Sequence, residues 1–469
     1  MTDYYAFIAG KKVTADKKLP VVNPATEELL GTFPECTQAQ LEEAVSSARK
    51  AFVLWSETDG EVRVKALHRM ADLIEANAGE LARLLTLEQG KPLKGRGSEF
   101  EVQGCVTWLR ATAGMSLPVK ILEDSDQRQA FLYRKPVGVV ASITPWNWPL
   151  LIAVWHLAPA IRVGCTVVVK PASNTPLSTL RMVEIFNEAL PAGVLNVVTG
   201  DVGRKLPGHP GIDKVVFTGS TPVGRKVMRE AAAGLKRLTL ELGGNDAGIM
   251  LPDTNINRVI EGVFWGAFIN GGQTCGALKR LYVHESQYEE VCRALTEIAT
   301  GMPMGDGLDD NNLFGPVQNQ VQFNYVRELV DEARERGARV LCGGEARDGK
   351  GFFYPLTLLA DVTDEMRIVK EEQFGPALPI IKYSEVDEAV ARANDSEMGL
   401  GGSVWSGNIE QAKIVASRLE CGTVWINSHG SVAPHVPFGG VKSSGIGVEF
   451  GIEGLEEYTV IQSMHVPQH

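Results

Sequence analysis

The stretch from Asn270 to Arg280, NGGQTCGALKR, sets one cysteine among glycines and small polar residues. Only a thiolate attacks, and a free thiol has a pKa of about 8.5, so a reactive cysteine needs backbone room, polar donors and partial access. Glycines on both sides of Cys275 let the main chain approach a substrate closely. The setting points to a nucleophile placed for access and for thiolate stabilisation. A structural cysteine beside glycines is the plain alternative, so the reading depends on partners elsewhere in the chain.

Four other segments offer such partners. LTLELGGND (238–246) places one carboxylate, Glu241, in an apolar strand-like run. Burial there raises its pKa toward the range of a general base, unless the strand lies at a sheet edge and Glu241 faces water. TPWNWPL (144–150) stiffens a turn with two prolines and presents Asn147, whose amide could donate to an oxyanion. Trp148 and Trp155 could line an apolar pocket or simply fill core. VVVKPAS (167–173) ends a strand with Lys170 and Ser173, where a ribose or phosphate could lie; a solvated lysine would look the same. VVFTGSTPVG (215–224) runs from strand through a Gly-Ser turn into a helix with Pro222 in its first turn, where backbone N–H groups attract phosphate oxygens. Its spacing, Gly219-x4-Gly224, departs from the G-x-G-x-x-G fingerprint, and a turn of this kind needs no ligand.

The elements that must hold these residues follow from apolar patterning. Residues 38–90 read as two helices, the second starting near Glu61 with Leu67, Met70, Ala71 and Ile74 on one buried face. Residues 116–136 read as a hairpin. From Pro136 onward, VGVVASI, TVVVKP, LNVVTG and KVVFTGS are β-branched runs separated by helical stretches, the mark of βαβ units around a parallel sheet covered on both faces. A second series has KRLYVHE, ARVLCGG, ALPIIKY and GTVWINS as strands and 286–300, 317–337 and 385–394 as helices. Two α/β domains facing each other are expected, with ligands beyond the carboxyl ends of the first set of strands. The tail YTVIQSMHV has strand composition and is expected to pair outside its own domain, at a subunit interface.

A chain of 469 residues with 44% hydrophobic and 22% charged residues can bury a large core, and its net charge of -11 favours solubility. The absence of a Lys/Arg run argues against nucleic acid and anionic membrane as partners. Seven cysteines without a C-x-x-C pair or metal-ligand spacing fit a reducing compartment and predict no metal site. No signal-like N-terminus and no long apolar run are present, so a cytoplasmic location is expected.

Taken together, TPWNWPL, KPAS, FTGSTPVG, LELGGND, GQTC, EEQFGP (371–376) and PFGGVKSSGIGVEFG (437–451) match the motifs of the aldehyde dehydrogenase superfamily, in its order. The chain resembles that family over essentially its whole length. The resemblance implies an α/β, aldehyde dehydrogenase-like fold: a Rossmann-type NAD(P)-binding domain (1–115 and 137–243), an α/β catalytic domain (244–443) and an oligomerisation β-extension (116–136 and 456–469). It also implies Cys275 as nucleophile, Glu241 as general base, and Asn147 with the Cys275 N–H as the oxyanion site. Around the cofactor it places Thr144, Trp146, Gly219 and Gly243, with Lys170 on the adenine ribose, Ser220 on the pyrophosphate, Glu372 on the nicotinamide ribose and Phe374 beside the nicotinamide.

By the same resemblance an aldehyde tunnel takes Trp148, Leu151, Ile152 and Trp155 from one segment. Others supply Ile269, Thr274, His429, Val432 and Phe438. With no arginine or lysine in that set, an uncharged aliphatic or aromatic aldehyde is favoured. A semialdehyde dehydrogenase or a coenzyme A-acylating enzyme is the alternative, and a non-enzymatic binding protein is disfavoured because nucleophile and base are both present. Ser173 stands where NAD-preferring members of the family often carry glutamate, so NADP is expected to be accepted, alone or beside NAD. The family assembles as dimers or dimers of dimers, so a homodimer or homotetramer is expected. His429 and His435 have no assigned role and read as hydrogen-bonded loop residues at the surface.

Overall fold

The apolar runs after residue 136 become five buried strands, Val139–Ile143, Thr166–Lys170, Leu195–Val197, Lys214–Thr218 and Arg237–Glu241, in a computed structural model that describes residues 2–468. All five pair in parallel. They form the centre of an eight-stranded sheet whose edges are antiparallel additions: Gly445–Ile446 beside Arg237–Glu241, and Ala6–Ile8 then Lys11–Val13 beyond Leu195–Val197. The chain steps outward from Val139–Ile143 through two strands, then crosses back to lay Lys214–Thr218 on its other side. That reversal opens a crevice at the carboxyl ends of these two neighbouring strands. The turns bearing Thr144 to Asn147 and Gly219 to Ser220 leave from there.

A second sheet of seven strands follows. Six of them, Asp246–Met250, Leu278–His284, Thr357–Ala360, Ala377–Tyr383, Gly401–Trp405 and Thr423–Ile426, are parallel neighbours. Arg339–Cys342, expected as one more member of the βαβ series, pairs antiparallel at the edge. Cys275 lies just before Leu278–His284, and Glu372 and Phe374 just before Ala377–Tyr383. The amino edge of this sheet therefore meets the carboxyl edge of the first, and the candidate site lies in the seam between them.

Residues 38–90 form three helices, Gln38–Trp55, Gly60–Ala76 and Ala78–Gln89, where two were expected. A single residue separates the last two: Asn77 leaves helical geometry at φ -113° and ψ 15°, and its side-chain amide donates to the Leu73 carbonyl at 2.8 Å. Apolar spacing runs on across so short a break, which hides it from periodicity. The stripe of Leu67, Met70, Ala71 and Ile74 is fully buried as expected, its larger members each contributing roughly 1.5–3 kcal/mol on burial. The hairpin is Lys120–Asp124 with Arg128–Pro136, and the tail strand Thr459–Pro467, expected at a subunit interface, pairs antiparallel along all of the latter within this chain, in a three-stranded sheet apart from the two main ones. Among the described residues no helix is long and apolar enough to cross a membrane, and no group of three or more side chains is placed to hold a metal ion.

Candidate active site

Backbone conformation builds the cysteine loop. The helix Ile256–Phe268 ends in a tight turn where Asn270, Gly271 and Gly272 all take positive φ, at 52°, 62° and 73°. Gly272 tolerates no side chain, because a Cβ there would lie 2.2 Å from the carbonyl oxygen of Gly375. The bend is latched by amides. Asn270 Nδ2 donates to the Asn147 carbonyl at 2.9 Å, and Asn147 Nδ2 donates to the Gln273 carbonyl at 3.0 Å. Trp148 Nε1 donates to Thr274 Oγ1 at 3.0 Å. The Asn147 turn and the Cys275 loop, 128 residues apart in sequence, are thus one hydrogen-bonded unit.

Cys275 is half-buried and free, as are Cys342 and Cys421. The expectation of a thiolate stabilised at rest is not met. Burial pushes the Cys275 thiol up to about 12, with the charges of Glu241 and Glu372 adding to the rise and Lys279 opposing it. Polar neighbours are present, but most are spent on one another rather than on sulfur. Glu241 ends the strand Arg237–Glu241 inside the sheet, between Lys214–Thr218 and Gly445–Ile446, so exposure at an edge is excluded. Its carboxyl is buried, neither oxygen has a hydrogen-bond partner among the described residues, and burial followed by the charge of Glu449 raises its pKa well above the ordinary value.

The residues implied for cofactor binding gather along the carboxyl edge of the first sheet and the loop before Ala377–Tyr383. Trp146 and Phe374 meet edge to face at 5.3 Å between ring centres. Gly243 leaves room for Glu372, whose Oε2 would lie 2.3 Å from a Cβ at that glycine, and Glu372 Oε1 accepts from the Gly244 N–H at 3.0 Å. Thr144 Oγ1 is buried with no hydrogen-bond partner among the described residues. Burial and the like charge of Arg204 hold the Lys170 ammonium down to about 8, while Ser173 is exposed. Gly219 donates to the Glu241 carbonyl at 3.0 Å, and Ser220 begins the helix Thr221–Ala232 without spending its hydroxyl on a cap. An unpartnered hydroxyl, a glycine cradle and a cation at the crevice fit a nicotinamide dinucleotide.

Of the residues implied for the tunnel, Trp148, Leu151, Ile152 and Phe438 belong to one buried cluster, against which Trp155, Ile269, Val432 and Cys275 itself are packed. Trp155 also stacks edge to face on Phe450 at 4.7 Å. His429 is not the solvent-facing loop residue expected. Its side chain is buried 4.9 Å from the Trp425 ring, with Nδ1 2.9 Å from Ser403 Oγ, and burial takes its pKa down to about 3. His435 is exposed.

Buried charges around the site escaped sequence reasoning. Lys91 donates to Glu101 Oε2 at 2.6 Å and to the Asn147 carbonyl at 2.8 Å, with its ammonium 3.6 Å from the centre of the Trp148 ring. Glu101 Oε1 accepts the N–H groups of Leu150 and Leu151, capping the helix Pro149–Val163. Behind Glu241, Glu449 lies 3.1 Å from His156 Nε2, which is 3.0 Å from Thr218 Oγ1. Lys279 forms an ion pair with Glu372 at 3.1 Å. Asp246 is buried below the Cys275 loop with both oxygens unpartnered among the described residues. A charged residue beside an apolar run is the signal that could have found Lys279 and Asp246.

Burial raises Asp246 from the usual carboxylate range to about 7, opposed mainly by Lys279. A carboxyl whose folded pKa lies above its unfolded value stabilises the fold below the unfolded pKa and loses that contribution as pH rises through the folded one. Wild-type protein should therefore lose about 1 kcal/mol more stability between pH 6 and pH 8 than Asp246→Asn. Urea midpoints at the two pH values measure it, and equal losses in both proteins would mean that the buried carboxyl is already ionised at pH 6.

Residues 12–464 match the model of the aldehyde dehydrogenase family. Human retinaldehyde dehydrogenase 3 is 40% identical over 96% of this chain and 90% of its own, and chicken retinal dehydrogenase 2 is 41% identical over 95% and 88%. The NAD+ complex of an aldehyde dehydrogenase from Bacillus cereus superposes with a TM-score of 0.97 at 38% identity, covering 99% of this chain and 97% of that one. This chain belongs to the aldehyde dehydrogenase family, oxidoreductases acting on aldehydes.

Proposed function

We propose that this protein oxidises an uncharged aliphatic or aromatic aldehyde to the carboxylic acid, with Cys275 as nucleophile, Glu241 as general base and NADP or NAD as acceptor. The observation that carries the reading is the latch between the Asn147 turn and the Cys275 loop. An amide nitrogen has two protons. Asn147 Nδ2 gives one to the Gln273 carbonyl and keeps the other for an oxyanion formed beside the sulfur.

In this reading the Cys275 thiol gives up its proton to solvent, the thiolate adds to the aldehyde carbon, and the oxyanion of the thiohemiacetal is held by Asn147 Nδ2 and the Cys275 N–H. The nicotinamide, when bound, supplies the hydride acceptor. Trp146, Phe374 and Glu372 would hold it and the adjoining ribose, Ser220 the pyrophosphate and Lys170 the adenine ribose. Cys275 is left as a thioester. Glu241 takes a proton from water, the resulting hydroxide adds to the thioester carbon, and the acid leaves as the sulfur departs. Glu241 supports hydrolysis over transfer to coenzyme A.

Two features support an uncharged substrate. The buried cluster against which Cys275 packs, Trp148, Leu151, Ile152 and Phe438 among it, is apolar, and the cation stacked on Trp148, Lys91, is spent on Glu101 and the Asn147 carbonyl. We place the cofactor domain around the eight-stranded sheet (1–115 and 137–243) and the catalytic domain around the seven-stranded one (244–443). The three-stranded extension (116–136 and 456–469) serves a homodimer or homotetramer; Ile121, Leu122, Ile461 and Met464 are exposed on it.

Cys275→Ala should abolish aldehyde-dependent reduction of NAD and NADP while cofactor binding survives. A panel of aldehydes followed at the reduced-nicotinamide absorbance tests it, and substantial residual turnover would remove Cys275 from the reaction. Glu241→Gln keeps shape but cannot accept a proton, so it should show a burst of reduced cofactor followed by turnover slowed about 100-fold or more. Burst and steady rate falling together would place Glu241 in thiol activation instead. Ser173→Glu brings a carboxylate near the 2′-phosphate of NADP and should shift relative kcat/KM toward NAD by about tenfold. Steady-state constants for both cofactors at one ionic strength decide it, and a strong NAD preference in wild type, unmoved by the substitution, would locate discrimination elsewhere.

A further inference from the structure

Lys279 is a buried lysine with no place in the reaction as described. It stands at the start of Leu278–His284, four residues after the cysteine, with a side chain 2% exposed. An ammonium has three protons, and Lys279 has three acceptors. Its Nζ donates to the carbonyl of Thr274 at 3.0 Å, to the carbonyl of Cys275, and pairs with Glu372 Oε1 at 3.1 Å. The ring of Phe374 lies 5.8 Å away. One cation therefore ties the backbone of the nucleophile to the carboxylate on the cofactor side, across two loops almost 100 residues apart.

A purely structural role would be served as well by a neutral donor, since two of the three acceptors are carbonyls. The third is a carboxylate, and the charge of Lys279, held on the Cys275 carbonyl, also acts on the thiol of that residue. We propose that Lys279 is a positioning residue that governs the ionisation of Cys275 and holds Glu372 in its resting place. The inference rests on the reading of Cys275 as nucleophile, but it is tested on the thiol alone.

The charges facing the thiol can be named. Lys279 favours the thiolate, whereas Glu241 and Glu372 oppose it from the ends of other elements. The charge of Lys279 also acts on Asp246 and His429: it favours ionised Asp246 and neutral His429. Loss of the ammonium leaves the charges of Glu241 and Glu372 on the thiol unopposed by Lys279. Neutralising Glu372 does the reverse, leaving the Lys279 charge less opposed.

The test is the rate at which iodoacetamide alkylates Cys275 in the free enzyme, read by peptide mapping across pH 7 to 10 without cofactor or substrate. Well below the thiol pKa, that rate follows the thiolate fraction, and one pKa unit is a factor of ten. Lys279→Met should slow alkylation about tenfold at pH 8, Lys279→Arg should stay within about threefold of wild type, and Glu372→Gln should accelerate it severalfold. The Glu372 variant keeps the proposal falsifiable if Lys279→Met does not fold. Wild-type alkylation in folded Lys279→Met, an arginine variant as slow as the methionine one, or no acceleration in Glu372→Gln would each overturn it. Failure of Cys275→Ala to abolish turnover would instead overturn the nucleophile, and this assay is independent of that result.

Discussion

Exclusion of water from the seam between the two sheets is the constraint to which the rest of the site answers. Four ionisable groups there are displaced toward their neutral forms: the Cys275 thiol up to about 12, Glu241 well up, Asp246 up to about 7, His429 down to about 3. A dry site strengthens each fixed dipole in it, so the single free proton of Asn147 Nδ2 counts for far more at an oxyanion than it would in water. The same dryness leaves the resting nucleophile protonated. In the proposed reaction, therefore, charge is not stored in the site but appears with the substrate, against donors already fixed in place.

The charges that do remain are paired, and they serve placement. Lys91 and Glu101 are both fully buried, and a buried pair of this kind is weak support for stability because desolvation offsets its attraction. What the pair does is geometric. Glu101 fixes the first turn of Pro149–Val163 through two backbone N–H groups, and Lys91 fixes the carbonyl of Asn147 at the end of the turn that leads into it. Glu88 does the same for Leu177–Phe186, accepting from the N–H groups of Leu177 and Ser178. Two helix starts on the crevice side are thus set by carboxylates from the helical layer, which couples that layer to the site.

The sequence made the sheets legible because parallel strands covered on both faces must be apolar at nearly every position, as in Val167, Val168 and Val169. It also made the reactive loop legible, since glycines at positions where the backbone turns left-handed or meets a carbonyl leave a local mark, as Gly272 does against Gly375. Asn77 left none, because a one-residue break does not disturb helical spacing. Thiol acidity was misjudged for a different reason: nearby polar groups were visible in sequence, but whether they point at sulfur or at one another is settled by contacts such as Asn147 to Gln273. Lys91, Glu101, His156 and Glu449 were silent because their partners are tertiary, up to 293 residues apart between His156 and Glu449.

Glu241 and Glu449 show how far such tertiary pairing shapes the chemistry. Two carboxyl groups close together in a dry site do not both ionise readily. Glu449 Oε1 lies 3.1 Å from His156 Nε2 but, like both oxygens of Glu241, has no hydrogen-bond partner among the described residues, and the charge of Glu449 adds to burial in raising the Glu241 pKa. Burial holds Glu241 toward its protonated form, and any charge it does carry opposes the thiolate. The same proton must be gone before Glu241 can take one from water. Attack and hydrolysis thus place opposite demands on one carboxyl, and Phe438, whose N–H and carbonyl bond the backbone of Glu449 at 2.9 and 2.7 Å, joins the position of Glu449 to the apolar wall near the sulfur.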